Sequence, residues 1–366
     1  MAKIGYIEQV ILGEEKGFFS WVFRGLTWPF SILYRVGLGI YLWLYDSGLR
    51  KKHRLAVPVI SIGNITFGGT GKTPAVEKIC RMITDLGKSA VVLSRGHGGK
   101  ASGPVVVSDG RQVLSSVDEC GDEPVALAQS LPGVPIVVAK DRRAGGKLAC
   151  ERFHPSAIVL DDGFQYWQLH RDLDIVVVDA SRPFGSGYVM PMGDLREPIR
   201  GLRRAHVVLV NVTAAEGCLT DGRVGRVLST IAPKAELFAC RRKPRRLLGP
   251  HSSAIDLEWL RGRRVVGFCG IGSPTSFFST LASLGAVVCE SIVFPDHHVY
   301  SEADIKYIVS RSAAHAVDAI ITTCKDVVRL EGKSAISNLY VLEIELEIDG
   351  EDRLERLVKD VLDRAS

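Results

Sequence analysis

The chain has 366 residues, of which 46% are hydrophobic and 24% charged, and its formal net charge is +5. This composition excludes a wholly disordered chain, and the length favours two domains or one domain with large insertions. The mild net charge gives no reason to expect a nucleic-acid partner. Eight cysteines without Cys-x-x-Cys or zinc-like spacing predict reduced, mostly buried thiols in a cytosolic protein.

An aromatic segment lies near the N-terminus, where residues 18–46 contain 10 of the 27 aromatic side chains. Two arginines, two glycines and Pro29 divide it into apolar runs of about ten residues, and each run is too short to cross a bilayer as a helix. Basic residues follow at 50–54, as they do where a protein meets anionic headgroups. We therefore predict that residues 1–54 are membrane-associated, as an interfacial helix or hairpin. Packing of the aromatics onto the protein core is the alternative.

Short apolar runs then alternate with helix-length amphipathic stretches. Such continuous runs are typical of strands buried on both faces of a parallel sheet. The predicted strands of this first series are 57–63, 90–94, 135–139, 157–161, 174–179 and 206–210.

A second series of the same kind follows the basic stretch 241–246, which is interpreted as a solvated linker. Its predicted strands are 264–270, 287–294, 318–323 and 339–348. The chain is thus predicted to contain a larger α/β domain over 55–240 and a smaller α/β domain over 241–366.

A glycine-rich loop joins the first predicted strand to a helix-length stretch, which is the context that a P-loop requires. Backbone N–H groups of such a loop bind phosphate oxygens, Lys72 can reach the β- and γ-phosphates, and Thr73 can ligate Mg²⁺. Thr66 stands where the usual pattern has its first glycine. The motif predicts an ATP site and a P-loop NTPase-like fold, with the nucleotide bound by Thr66, Phe67, Gly68, Gly69, Thr70, Gly71, Lys72 and Thr73.

Acidic residues follow another predicted strand, as in a Walker B motif. Asp161 and Asp162 would lie at the carboxyl edge of the sheet and bind Mg²⁺, and the sequence leaves open which of them touches the metal. A turn with a helix-capping aspartate is the alternative. Asp122 opens another predicted helix, where by itself an N-terminal cap is the better interpretation.

Taken together, the motifs resemble the tetraacyldisaccharide 4'-kinase family. The resemblance covers the aromatic segment and, in order, PVISIGNITFGGTGKTP, LSRGHGG, GDEP, DDGFQ, LREP, GIGSPTSFF, Asp296-His297 and TCKD. It implies transfer of the ATP γ-phosphoryl group to the 4'-hydroxyl of tetraacyldisaccharide 1-phosphate, giving lipid IV-A. It also implies Mg²⁺ as a cofactor and work at the cytoplasmic face of the bacterial inner membrane.

The resemblance assigns roles to individual residues. Asp122 would accept the proton of the sugar hydroxyl, paired with His297 from the second domain, and the two domains would have to close to bring them together. His298 is the competing histidine. The implied catalytic residues are Asp122, His297 and Lys72; the metal residues are Thr73, Asp161, Asp162, Gln165 and Glu197; and the substrate residues are Asn64, Ser94, Arg95, Glu123 and Arg196.

Two other functions fit parts of the sequence. A membrane-docked P-loop ATPase switch would hydrolyse ATP without phosphorylating a lipid, but Phe67 stands where such proteins carry a signature lysine. A soluble small-molecule kinase or synthetase would use residues 1–45 as part of its core, so their deletion would destroy folding.

Overall fold

The computed structural model describes residues 6–15, 17–212, 222–250, 253–330 and 336–364. Thirteen strands in these ranges form one continuous sheet with helices packed against it. The strands are β1 (Val59–Gly63), β2 (Ala90–Ser94), β3 (Val105–Ser108), β4 (Ile136–Val138), β5 (Ala157–Asp161), β6 (Leu173–Asp179), β7 (Val207–Asn211), β8 (Glu236–Leu248), β9 (Ala254–Ile255), β10 (Arg264–Cys269), β11 (Val287–Val293), β12 (Ala319–Thr323) and β13 (Leu339–Ile348). The α-helices are α1 (Tyr6–Leu12), α2 (Phe18–Asp46), α3 (Lys72–Asp85), α4 (Val117–Cys120), α5 (Asp122–Ser130), α6 (Arg142–Phe153), α7 (Arg223–Ile231), α8 (Pro274–Ser283), α9 (Glu302–His315), α10 (Cys324–Arg329) and α11 (Glu351–Asp363).

The first part of the sheet is parallel and has β1 near its centre. The strand order is β4-β2-β5-β1-β6-β7-β8, and β3 adds an antiparallel edge. Every residue of β1, β2, β5 and β7 is buried, as their continuous apolar sequences predict. All ten predicted strands are present, whereas β3, β8 and β9 were not predicted.

The stretch 241–246 is not a linker, and that interpretation is wrong. It forms the middle of β8, whose first residues pair in parallel with β7 and whose remainder pairs antiparallel with β13. The basic side chains of β8 face acidic side chains of β13 and the residue that follows it, and such cross-strand pairs of opposite charge stabilise a sheet. The pairs are Arg241–Asp349, Lys243–Glu347, Arg245–Glu345 and Arg246–Glu343.

The long strand β8 determines where the two parts of the sheet meet, because it pairs in parallel with β7 and antiparallel with β13. β7 ends at Asn211 beside Cys240, but β8 continues to Leu248 beyond that edge. β13 returns along this extension, so Ile348 at its carboxyl end lies opposite Cys240. Because β10, β11 and β12 run in the direction of β13, the carboxyl ends of both parallel parts point towards each other. Loops from both parts can therefore reach one site.

Helix α2 is one continuous helix, so the expectation that Pro29 and the charges divide it, and the hairpin form of the prediction, are wrong. Only Ser20, Ser31 and Tyr45 of this helix are buried, and most of its large apolar side chains are exposed, with Trp21 at 76% and Leu33 at 70%. The alternative, that the aromatics of this segment pack onto the core, is therefore wrong for most of them, although Tyr45 is buried and Tyr34 contacts a core cluster. No helix in the described part of the chain combines the length and apolar character needed to cross a membrane.

The cysteines are free thiols, as predicted, wherever the structure describes them. Cys80, Cys120, Cys240 and Cys269 are buried, and the other three described cysteines are partly buried. Cys218 lies outside the described residues.

Candidate active site

The P-loop lies between β1 and α3 at the carboxyl edge of the parallel sheet. Lys72 is the first residue of α3, and Gly71 before it has φ of 99°, a conformation that favours glycine. Fully buried Asn64 donates from its amide to Thr70 Oγ1 at 3.1 Å and so braces the loop. The N-terminus of α3 presents free backbone N–H groups, which bind phosphate oxygens in such loops.

A second loop runs alongside the P-loop. The N–H group of Phe67 donates to the carbonyl of Asp194 at 2.8 Å, and Thr66 forms a bridge with Leu195. The guanidinium of Arg196 lies over the Phe67 ring, with 5.0 Å between its Cζ and the ring centroid. The LREP motif is thereby held next to the nucleotide loop.

Two acidic side chains end the neighbouring strand β5. Ser94, at the end of β2, donates to Asp161 Oδ2 at 2.8 Å, and burial raises the pKa of Asp161 to about 6. Arg196 donates to both carboxylate oxygens of Asp162 at 2.8 Å, and Lys72 Nζ lies 3.7 Å from Asp162 Oδ1. Burial alone would raise the pKa of Asp162, but these two cations hold it below its ordinary value.

Gln165 and Glu197 connect the P-loop to the rest of the core. Gln165 Nε2 donates to the Asn64 carbonyl at 2.7 Å and to Glu197 Oε1 at 2.9 Å. Both oxygens of Glu197, which is 2% exposed, also accept from Arg204, at 2.8 and 3.0 Å. The Glu197 carboxylate thus accepts hydrogen bonds from both Gln165 and Arg204.

The predicted pairing of Asp122 with His297 is present in the structure. Asp122 begins α5, after Gly121, whose φ is 87° and whose missing Cβ would lie 2.3 Å from the carbonyl oxygen of His97. The LSRGHGG loop thus packs directly against the residue preceding Asp122. His297 follows β11 and places Nδ1 2.9 Å from Asp122 Oδ2.

His298 has a different environment from His297. Its Nε2 lies 3.1 Å from Asp304 Oδ2, and its ring stacks on Phe294 at a centroid distance of 4.7 Å. His297, the histidine that the resemblance favours, is therefore the one that faces Asp122.

Sequence reasoning missed two buried arginines. Arg329, at the end of α10, donates to Asp122 Oδ2 from Nε at 2.7 Å and also from Nη2. Arg142, at the start of α6, is 4% exposed, and its Nε has no hydrogen-bond partner among the described residues. Burial lowers the pKa of Arg142, the Asp161 and Asp162 charges oppose this effect, and the Arg142 charge in turn lowers the pKa of Asp162. Burial of an arginine is a property of the fold, so neither position had a signal in the sequence.

Charges link the nucleotide side to the Asp122 side. Glu123 forms an ion pair with Lys325 of α10. The negative charge of Glu123 also acts to raise the pKa values of Lys72 and Asp161. Burial lowers the pKa of Lys72, and the Asp162 carboxylate partly offsets this effect. Arg95 is exposed in the loop after β2. Within the described ranges, no group of three or more His, Cys, Asp or Glu side chains has a metal-binding arrangement.

The fold and the site together define a class. A parallel sheet carrying a glycine loop, a helix-starting Lys-Thr pair and an acidic end on the adjacent strand is the arrangement of a P-loop phosphate-binding protein. Comparison with known proteins then gives the family. The model of the tetraacyldisaccharide-1-P 4'-kinase family, LpxK, matches residues 23–363. The chain belongs to this family.

Individual relatives agree along nearly the whole chain. The tetraacyldisaccharide 4'-kinase of Syntrophus aciditrophicus is 40% identical over 343 residues, covering 91% of each chain. That of Geobacter metallireducens is 38% identical and covers 91% of this chain and 96% of its own. The crystal structure of LpxK from Aquifex aeolicus in complex with ATP is similar with a TM-score of 0.76 at 32% identity, covering 93% of this chain and 99% of that one.

Proposed function

We propose that this protein transfers the γ-phosphoryl group of ATP to the 4'-hydroxyl of tetraacyldisaccharide 1-phosphate at the cytoplasmic face of the bacterial inner membrane. The observation that carries the proposal is the Asp122–His297 pair, which adjoins Glu123, a residue whose pKa the P-loop Lys72 also lowers. A P-loop alone also fits an ATPase, whereas a carboxylate–histidine pair that an acceptor can reach is suited to deprotonating a hydroxyl.

The nucleotide side would hold the triphosphate. The backbone N–H groups of residues 66–71 and the N-terminus of α3 would bind its oxygens, and Lys72 would stabilise the charge on the β- and γ-phosphates. Arg196 and Arg142 lie beside the same acidic strand end and add positive charge there.

The residues present also fit a magnesium ion. Asp161 is a buried carboxylate whose pKa is raised by burial and by the neighbouring charges of Glu123 and Asp162, and Thr73 and Asp162 lie at the same edge of the sheet. Hard oxygen ligands of this kind are those that Mg²⁺ prefers. Asp161, Asp162 and Thr73 would hold the ion, with Gln165 and Glu197 behind them, and the ion would neutralise phosphate charge during transfer.

On the acceptor side, Asp122 would accept the proton of the 4'-hydroxyl. The hydroxyl oxygen forms a bond to the γ-phosphorus as the bond from that phosphorus to the bridging oxygen breaks, and ADP leaves. His297 would orient the carboxylate through its Nδ1 contact. The hydrogen bond to Asp122 raises the pKa of His297, so this residue can also share the proton afterwards.

The exposed face of α2 supports docking on a membrane. Its polar side packs on the core: Ser31 Oγ donates to the Val189 carbonyl at 2.9 Å, and Tyr34 donates to the Arg196 carbonyl at 2.8 Å. The side chains left exposed include Phe18, Phe19, Trp21, Trp28, Phe30 and Leu33. A continuous cluster of large exposed apolar side chains is a feature of lipid or protein contact sites. Docking also spares the enzyme from extracting acyl chains, at a cost of about 0.8 kcal/mol per CH₂.

The chemistry is tested with purified enzyme in detergent micelles, radiolabelled ATP, Mg²⁺ and tetraacyldisaccharide 1-phosphate. We expect a labelled bis-phosphorylated lipid on thin-layer chromatography with the wild type and its near loss in Lys72→Ala and Asp122→Ala. Lys78→Ala, on the same helix but paired with Glu351, serves as the matched control. Folded enzyme that hydrolyses ATP without labelling the lipid would favour the ATPase switch.

Docking is tested by co-sedimentation with vesicles of phosphatidylethanolamine and phosphatidylglycerol. The triple variant Trp21→Ser, Phe30→Ser, Leu33→Ser should remain in the supernatant. A control triple variant, Leu114→Ser, Val287→Ser, Val309→Ser, removes three exposed apolar side chains that lie outside α2 and should sediment like the wild type. Equal sedimentation of both triple variants would exclude α2 as the docking surface.

A further inference from the structure

Arg329 carries a permanent positive charge and lies against the Asp122 carboxylate. Its side chain is 3% exposed and makes a forked contact, in which Nε and Nη2 both donate to Asp122 Oδ2. Nη2 also lies 3.3 Å from His297 Nδ1, the atom that contacts the same oxygen. One guanidinium thus touches both members of the proposed catalytic pair.

A buried network fixes Arg329 from behind. Its Nη1 donates to the Gly270 carbonyl at 2.9 Å, and Asp326 Oδ1 lies 3.4 Å from the same nitrogen. Asp326 is fully buried and accepts from the Gly270 N–H group at 2.9 Å and from Tyr300 at 2.8 Å. Thr323 caps α10 and donates to the other oxygen of Asp326 at 2.6 Å. The TCKD motif therefore anchors the helix that delivers Arg329.

We propose that Arg329 is a positioning residue for phosphoryl transfer, which holds the Asp122 carboxylate and the His297 ring in their reactive orientation. The inference rests on the proposed kinase function. Asp122 Oδ1 accepts from the N–H group of Glu123 at 2.9 Å, so contacts to both oxygens fix the carboxylate plane. A planar guanidinium can bridge Asp122 and Gly270 at once, which a lysine ammonium cannot do with the same geometry.

The charges around the pair are set by three elements. Arg329 and Lys325 face Asp122 from α10, and His297 and Asp296 face it from the loop after β11. Glu123 follows Asp122 on α5. Burial opposes ionisation of Asp122, but the His297 hydrogen bond and the Arg329 charge hold its pKa well below the ordinary range. The Arg329 charge also acts to lower the pKa of His297. Removal of the guanidinium should therefore raise the pKa values of both groups.

The test uses Arg329→Lys and Arg329→Gln in the full-length chain. For Arg329→Lys we expect kcat to fall about tenfold with the KM for ATP nearly unchanged, because the charge remains and the fork is lost. For Arg329→Gln we expect a larger fall, of about a hundredfold, and an acid limb of the kcat profile at higher pH. Arg311 lies on α9 and donates to Glu290 of β11, so Arg311→Gln removes an arginine–carboxylate contact away from the site and should leave kcat and its pH profile unchanged.

An NMR titration of the His297 ring separates this inference from the kinase proposal, because it needs no turnover. The titration should move to higher pH in Arg329→Gln and to lower pH in Asp122→Asn. If the wild type labels no lipid, the kinase proposal fails, and the titration still decides whether Arg329 acts on the pair. If Arg329→Gln does not fold, Arg329→Lys decides alone. A folded variant with wild-type kcat and titration, altered only in melting temperature, would show that Arg329 is merely structural.

Discussion

The nucleotide side and the acceptor side of the site are built in different ways. The nucleotide side uses a contiguous loop, residues 64–73, and the end of β5, the strand adjacent to β1. The acceptor side brings together Asp122, His297 and Arg329, which are separated by 175 and 32 residues along the chain. The first arrangement needs only local backbone geometry, whereas the second exists only when the two parts of the sheet meet at β8.

The electrostatics of the two sides differ as well. Asp161 is buried with a serine hydroxyl as its partner, and its pKa is raised to about 6. Asp122 is partly buried but touches a guanidinium and an imidazole, and its pKa is held low. Asp161 is thus suited to binding a cation, whereas the cations beside Asp122 keep it ionised and fixed in orientation.

The largest effect is expected on the acceptor side. Asp122→Asn keeps the shape but loses the base, so kcat should fall about 10³-fold while the dissociation constant for ATP stays within about twofold. Steady-state kinetics and calorimetry with a non-hydrolysable ATP analogue measure the two quantities. The double variant with His297→Ala should lose less than the product of the single effects, because the residues act as a pair. A large loss of ATP binding in Asp122→Asn would contradict the division into two sides.

A smaller effect on turnover, with a change in binding, is expected on the nucleotide side. Arg196→Gln removes the contacts to Asp162 and the stacking on Phe67, so ATP binding should weaken about tenfold and kcat should fall about a hundredfold. The exposed Arg200, four residues later, provides the control Arg200→Gln. If Arg196→Gln changed kcat alone, Arg196 would belong functionally with the acceptor side.

A change in stability with pH is expected from Asp161. Its pKa is raised from 3.8 in the unfolded chain to about 6 in the fold, so the folded state binds the proton more tightly. This contribution to stability is present below pH 3.8, is lost as pH rises towards 6, and amounts to about 2–3 kcal/mol. Asp161→Asn should therefore stabilise the metal-free protein at pH 7.5 relative to the wild type, with a smaller difference at pH 4.5.

Chemical denaturation at the two pH values, without Mg²⁺ and nucleotide, measures this difference. Ser94→Ala is the companion variant, since it removes the hydroxyl that favours the ionised form of Asp161. It should lower stability at pH 7.5. A wild-type curve that matches Asp161→Asn at both pH values would mean that burial does not perturb this carboxyl group.

The smallest effect is expected at His298. His298→Ala loses a contact to Asp304 and a stacking partner at Phe294, both away from Asp122, so kcat should stay within about threefold and stability should fall by about 1 kcal/mol. A fall of kcat comparable to that of His297→Ala would assign the two histidines a joint role.

The parts of the molecule that could be predicted are those with local physical causes. The buried parallel strands show as apolar runs, and the P-loop shows as glycines followed by Lys72 and Thr73. The pairing of Asp122 with His297 came from resemblance to a family, because no local pattern joins residues so far apart. The basic run 241–246 was misread as a linker because its partners, such as Glu345 and Glu347, lie about a hundred residues further along.

The alternation of strands and helices, the phosphate loop, the acidic end of β5 and the apolar character of α2 are all readable from the amino-acid order. These features depend on residue types within a few positions of each other, where periodicity and backbone preference are decisive. Three further features depend on long-range packing: α2 is continuous and exposed, β8 joins the two parts of the sheet, and Arg329 lies against Asp122. Those outcomes depend on which distant surfaces pack together, and burial of a charge is favourable only where the fold supplies its partners.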